Sequence, residues 1–441
     1  MESVDYIVRG DYVLTMDERM DTIVDGAVAV KDRRIIDVAP SESILRDYQC
    51  DRIVGGEGRV VLPGLINTHT HAAMVYFRGL ADDLPLKVWL EEHIWPAENS
   101  LLSPGFVADA IELACVEMLK GGITTYNDMY FFGGSAAAST KKLGMRAVLG
   151  VGILDFPTMT AKTVDEYLGN AERFIEEWKG DELITPCIAP HSAYACGPET
   201  LQRAMALAER HDVLMSIHLS ETEWEVGEIV SKYGKRPVEH LAAIGVLNRR
   251  VVAAHCVWVD EHEIALLTER EVGVSHCLES NLKLASGIAP VPRMLAAGVK
   301  VSFGTDGAAS NNDLNILSEL STAAKLHKTA AKDPTVLDSK TALLMATRYG
   351  AEVLGMGSII GSIAKGKKAD LITINLRKPH LLPLYDVYSH IVYAARASDV
   401  ESVLVDGRLI INGGSFVDAC EQDILHRAVE WGERIALYNS R

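Results

Sequence analysis

The sequence predicts an α/β protein: a (β/α)8 barrel of the TIM type with a small β-sandwich domain assembled from both chain ends. Eight apolar, strand-like runs follow one another through the middle of the chain, spaced widely enough for crossover helices. Both ends are rich in short β runs, and neither end has enough of them to bury a core alone. Histidines and an aspartate stand where the apolar runs finish, the end at which a parallel barrel gathers its active site. The 441 residues suit a barrel of about 250–300 residues plus a smaller unit. The expected division is a composite sandwich from 1–58 and 363–441, closed by a C-terminal helix, around a barrel at 59–362.

In order, the N-terminal runs are 6–10, 12–16, 26–30 and 34–38, separated by Gly, Asp and Lys. The barrel runs are Val60–Asn67, Ile123–Met129, Arg146–Ile153, Ile184–Pro190, Val213–His218, Val251–His255, Val272–His276 and Lys300–Thr305. Between the first two, Phe106–Lys120 has helical spacing of Ala110, Leu113, Ala114 and Met118. The later β block covers 369–374 and 400–411, with Asp406-Gly407 as a hairpin signal. Residues 421–438 repeat apolar side chains at helical spacing. An open doubly wound sheet is the alternative, but no GxGxxG follows an early strand.

A formal net charge of −17, with no basic run, argues against a nucleic-acid partner. No window of 18 uncharged apolar residues and no basic leader before an apolar core point to a cytoplasmic protein without a membrane partner. Seven scattered cysteines without a CxxC fit a reducing compartment. The expected assembly is a homo-oligomer acting on a small molecule.

Strand alternation after Val60–Asn67 puts His69 and His71 on one side, as two ligands for one metal ion. A bare HxH is as readily two solvated loop histidines. Here, however, His191, His218, His255, His276 and Asp306 close later runs in the same way. The remaining histidines, His93, His211, His240, His262, His327, His380, His390 and His426, are expected on the surface or on helices. A catalytic Zn²⁺ takes three nitrogen or oxygen ligands plus water, and His69, His71, His218 and Asp306 supply such a set. Asp306 is placed both to touch the metal and to take a proton from its water. Glu221, three residues after His218, is a candidate proton donor and acceptor.

The opening Pro63–His71, followed by His218, His255 and Asp306 in barrel order, resembles the amidohydrolase superfamily over nearly the whole chain. Pro190-His191 closes strand four where binuclear members place a bridging lysine, so the resemblance is to mononuclear deaminases. Trp89–Glu98, Ser275–Leu284 and Gly304–Asn312 look like the 5′-methylthioadenosine/S-adenosylhomocysteine deaminases. That resemblance implies one zinc per chain, with Fe²⁺ or another divalent ion as the alternative, and a purine nucleoside substrate. It also implies that Glu98 holds the ribose, His191 contacts substrate, Glu221 shuttles a proton to the ring and His255 orients the water. Asp306 would accept the water proton. The alternative substrate is another heterocycle, guanine, cytosine or an s-triazine, against which Glu98 argues. The stretch Gly150–Thr160 has no arginine for an amino-acid tail, so S-adenosylhomocysteine is expected to be the weaker substrate and 5′-methylthioadenosine the better one.

Overall fold

A computed structural model describes residues 1–439. Eight strands lie side by side in chain order: Leu65–Thr70, Ile123–Tyr130, Arg146–Ile153, Ile184–Pro190, Met215–Leu219, Val251–His255, Gly273–His276 and Lys300–Phe303. Every neighbouring pair is parallel. Helices cross between them, as in Pro104–Lys120, whose first turn is capped by Ser103 Oγ accepting from the Phe106 amide at 3.1 Å.

Strands one and eight close the cylinder through side chains. Asn67 Nδ2 donates to Thr305 Oγ1 at 2.7 Å, and Thr68 Oγ1 donates to the Phe303 carbonyl at 2.9 Å. The Asp306 amide donates to the His69 carbonyl at 3.0 Å. Toward the amino ends of the strands the interior is apolar: Ile66, Val148, Cys187 and Val252 pack on Val353, Leu354, Met356 and Ile360. The next layer is polar. Thr68 Oγ1 lies 2.7 Å from both Ser275 Oγ and Ser302 Oγ, and Asn127 Nδ2 donates to Ser216 Oγ at 3.0 Å.

Strands from both chain ends form one mixed sheet. Its order is Ser415–Phe416, Arg408–Asn412, Val400–Val405, Leu371–Asn375, Ile53–Pro63, Tyr6–Leu14, Thr22–Lys31 and Arg34–Pro40. The expected sandwich is this single sheet folded over. Val8, Val28, Ile35, Val61, Leu371 and Leu404 share one core, and the amide of Ala369 donates to the Arg33 carbonyl at 3.0 Å across the fold.

The structure redraws three expectations. The apolar run Val60–Asn67 is two strands: Val60–Pro63 pairs with Leu371–Ile374 in the folded sheet, and only from Leu65 does the chain enter the barrel. Between them a side chain at Gly64 would overlap Thr124. Runs 6–10 and 12–16 are one strand with an irregularity between Gly10 and Tyr12. The helix Glu421–Asn439 lies on the barrel, where Trp431 meets Phe106 at 5.0 Å between ring centres and donates to Asp109 Oδ2 at 2.9 Å. The hairpin at Asp406-Gly407 is as expected, both residues having positive φ (49° and 69°). Among the described residues, no helix is long and apolar enough to cross a membrane.

Barrel and sheet are joined by a buried ion cluster. Arg146, the first residue of strand three, binds Asp370 through Nε at 2.9 Å and Nη2 at 3.1 Å. It also donates to the Glu182 carbonyl at 2.8 Å. Breaking a buried pair costs about 3–5 kcal/mol, because the partner charge is left uncompensated. Arg146→Ala is therefore expected to lower stability by about 3 kcal/mol or more in denaturant melts, and loss below 1 kcal/mol would show the cluster to be dispensable.

Candidate active site and metal centre

The ends of strands one, five and eight bring four ligand atoms within 4.8 Å of one another, from His69, His71, His218 and Asp306. His71 Nδ1 lies 2.7 Å from the Met129 carbonyl and His218 Nδ1 lies 2.8 Å from the His191 carbonyl. A carbonyl only accepts, so both Nδ1 atoms bear the proton and both Nε2 atoms present lone pairs. Those lone pairs face each other at 3.1 Å, an arrangement that calls for a cation between them. His69 Nε2 is buried with no hydrogen-bond partner, 3.5 Å from Asp306 Oδ1, and His71 Nε2 is 3.4 Å from the same oxygen. The other Asp306 oxygen is occupied, accepting from Ser280 Oγ at 2.7 Å and Ser310 Oγ at 2.9 Å. Three imidazole nitrogens and one carboxylate oxygen suit a single zinc-type ion with a water position left over.

The electrostatics agree with neutral imidazoles and an ionised carboxylate. Burial holds His69 down to about 4 and His218 well below the ordinary histidine value. Burial alone would raise Asp306, but the adjacent His69, His71 and His255 rings keep it well below the usual carboxylate range.

Around this cluster the remaining expected residues line one cavity: Glu98, His191, Glu221 and His255. The His191 ring packs against that of His218, 4.5 Å between centres and tilted by 31°, and burial together with its imidazole neighbours holds it to about 3, hence neutral. His255 Nδ1 is 2.9 Å from Asn281 Oδ1, which leaves Nε2 free of protein partners and 3.8 Å from Glu221 Oε2. Burial raises Glu221 above the usual carboxylate range, against the pull of His255. Its loop is pinned by Glu225, whose carboxylate accepts the Ser220 amide at 2.9 Å and the Glu221 amide at 2.8 Å. Glu98 accepts from the Tyr130 hydroxyl at 2.5 Å, and burial lifts it to about 7.

One histidine expectation changes. His276 does not join the cluster: alternation turns Ser275 inward, so His276 points to the surrounding helices and pairs with His327 at 3.1 Å. His327 and His240 lie on helices, as expected, and both are buried. Sequence reasoning also missed Tyr130 and Glu225. Asn281, Ser280 and Ser310 lay inside stretches already singled out, but nothing in their type or spacing foretold which side chain each would hold.

The comparisons agree with this geometry. The amidohydrolase family model matches residues 60–410. A 5-methylthioadenosine/S-adenosylhomocysteine deaminase of Thermodesulfovibrio yellowstonii is 55% identical over 98% of both chains. A 5′-deoxyadenosine deaminase of Methanothermobacter thermautotrophicus is 45% identical over 88% of this chain and 90% of its own. The crystal structure of an adenosine deaminase from Xanthomonas campestris with bound zinc superposes with a TM-score of 0.97 at 41% identity, covering 99% of each chain. The fold and the site thus define a metal-dependent hydrolase of the barrel type. This chain belongs to the amidohydrolase family.

Because His69 resists protonation until about pH 4, metal is expected to stay bound well below the ordinary histidine pKa of about 6.5. The neutral, ligating form persists as pH falls and is lost only near pH 4. Dialysis at pH 7, 5.5 and 4 with elemental analysis checks this, and half-loss near pH 6.5 would contradict it.

Proposed function

We propose that this protein hydrolyses the C6 amino group of adenine nucleosides, 5′-methylthioadenosine foremost, giving the inosine-type product and ammonia. The observation that carries the proposal is the convergence of three imidazole nitrogens, Asp306, His255 and a buried Glu221 in one cavity that also contains Glu98. The names of the full-length relatives support the same substrate class.

His69, His71 and His218 through Nε2 and Asp306 through Oδ1 would hold one zinc ion. When bound, that ion lowers the pKa of a water from about 16 towards ~7, so that hydroxide is available at neutral pH. Asp306 Oδ1 takes the water proton. His255 Nε2, its ring fixed by Asn281, hydrogen-bonds the attacking oxygen. Glu221, favoured as the acid by burial, donates to the ring nitrogen beside C6 and makes C6 electrophilic. A C–O bond forms, the C6–N bond breaks, and the leaving nitrogen departs as ammonia with the protons supplied by water. Glu98, held by Tyr130, takes the ribose hydroxyls, and His191 faces the substrate from strand four. The protein is further read as a cytoplasmic homo-oligomer without nucleic-acid partners; its seven free cysteines, five of them buried, fit that compartment.

Substrate preference follows from the loop after strand three. Leu154, Phe156, Pro157 and Met159 line a cavity of about 270 Å³ beside Glu98 and Trp95. Asp155 is turned away, accepting the Gly197 amide at 2.6 Å, and no arginine lines the cavity. A thioether methyl fits there, whereas an amino-acid carboxylate would lack a bidentate partner. kcat/KM is expected to be about tenfold or more higher for 5′-methylthioadenosine than for S-adenosylhomocysteine, about 1.4 kcal/mol. Equal or higher efficiency with S-adenosylhomocysteine would overturn the preference.

The acid role is tested by Glu221→Gln, which should lower kcat by about 10²–10⁴-fold with metal content unchanged. His218→Ala should instead lose the metal. Retention of more than about a tenth of kcat in the Gln variant would remove Glu221 from the proton transfer.

A further inference from the structure

Past Glu221 the catalytic cavity opens into a second one of about 980 Å³. The two share Leu86, Leu90, Trp95, Tyr194, Glu221 and Leu284, while Glu98 lines only the first of them. The outer walls of the second cavity carry charged side chains, Lys87, Glu91, Glu223 and Lys283 among them, together with large apolar ones that are partly open to water: Trp224 is 47% exposed, Trp258 37% and Phe156, shared with the cavity beside Glu98, 38%. Large apolar side chains left open around a cavity mark a ligand surface. These walls are also held in place. The Trp258 indole donates to the Ser286 carbonyl at 2.6 Å, and Trp224 meets Tyr194 edge-on at 5.4 Å. Neither tryptophan takes part in the reaction described above.

We propose that this cavity is a subsite for an apolar substituent on C2 of the purine, so that the enzyme deaminates 2-alkyl- and 2-aryladenosines. The proposal rests on the orientation given under the proposed function, with C6 at the metal ligands, the ring nitrogen N1 at Glu221 and the ribose at Glu98. C2 is bonded to N1, between it and N3, and lies opposite C5 in the six-membered ring. A purine held at both ends in this way turns C2 toward the wall at Glu221 and Leu284, where the second cavity begins. The chemistry at C6 is unchanged: water oxygen enters, ammonia leaves, and no bond to the C2 substituent is made or broken.

The test compares kcat/KM for adenosine, 2-methyladenosine and 2-phenyladenosine on the zinc-loaded enzyme. Both analogues are expected within tenfold of adenosine, with the phenyl compound showing the lower KM of the two. Trp224→Ala should leave adenosine within twofold and raise KM for 2-phenyladenosine at least fivefold. Turnover of adenosine with rejection of either analogue by more than tenfold overturns the subsite alone, as does a Trp224→Ala effect equal on all three. Turnover of 5′-methylthioadenosine with inactivity on all three overturns the subsite alone, and inactivity on 5′-methylthioadenosine as well overturns the deaminase assignment with it.

Discussion

The seam between strands one and eight is the constraint on which the site depends. Two ligands, His69 and His71, come from one side of it, and Asp306 comes from the other. No regular ladder joins the two edges; their spacing is set instead by Asn67, Thr68 and Thr70 reaching across to Thr305, Phe303 and Asp306. The carbonyl of His69 accepts the amide of Asp306 directly, so the distance between ligands on opposite edges is fixed by a backbone bond. Beneath lies the hydroxyl layer of Thr68, Ser275 and Ser302, small enough to let the edges approach. At Gly304 any side chain would crowd Ser275 and His69. A well-packed apolar layer at that height would push the two edges apart.

Four of the chain's positive-φ residues other than glycine stand around the site. Ser220, His255, Cys256 and Asp306 all have positive φ, between 47° and 72°, where a residue with a side chain gives up about 1–2 kcal/mol. Each lies in or beside a chemically important side chain, and the strain turns the chain sharply out of the strand so that the side chain faces the cavity. Compensation is local: the Cys256 amide reaches the Leu219 carbonyl at 3.0 Å, and the amides of Val257 and Trp258 share the Ser220 carbonyl at 3.0 and 2.9 Å. Glu225 adds its two backbone contacts to the loop that presents Glu221.

Much of this was legible in the sequence because it is written in period and position. Buried parallel strands are apolar runs, and seven of the eight runs have their strand within a few residues of the expected place. The exception, Val60–Asn67, shows the limit: burial is equally complete on both sides of Gly64, so hydropathy registers no change of sheet there. Strand ends flagged His69, His71, His218, His255 and Asp306 because chemistry at a barrel mouth has to sit there. The same rule misplaced His276, since end position says nothing about which way the last side chain points. Tyr130 was out of reach for another reason: its hydroxyl meets Glu98 only once a separate helix has been folded over the barrel. Contacts between distant segments have no periodic signature.

The sheet drawn from both termini sets the order in which this chain can become itself. Strand Ile53–Pro63 sits between Tyr6–Leu14 and Leu371–Asn375, so one of its edges waits for a partner made only after the entire barrel. At about 5–20 residues per second that wait lasts on the order of 15–60 s on the ribosome. An unpaired, apolar edge such as Val60–Val61–Leu62 is a template for wrong pairing throughout it. Nascent chains of this protein are thus candidates for chaperone custody until their last sixth emerges, and removing that sixth would take away the partner of a strand laid down near the start.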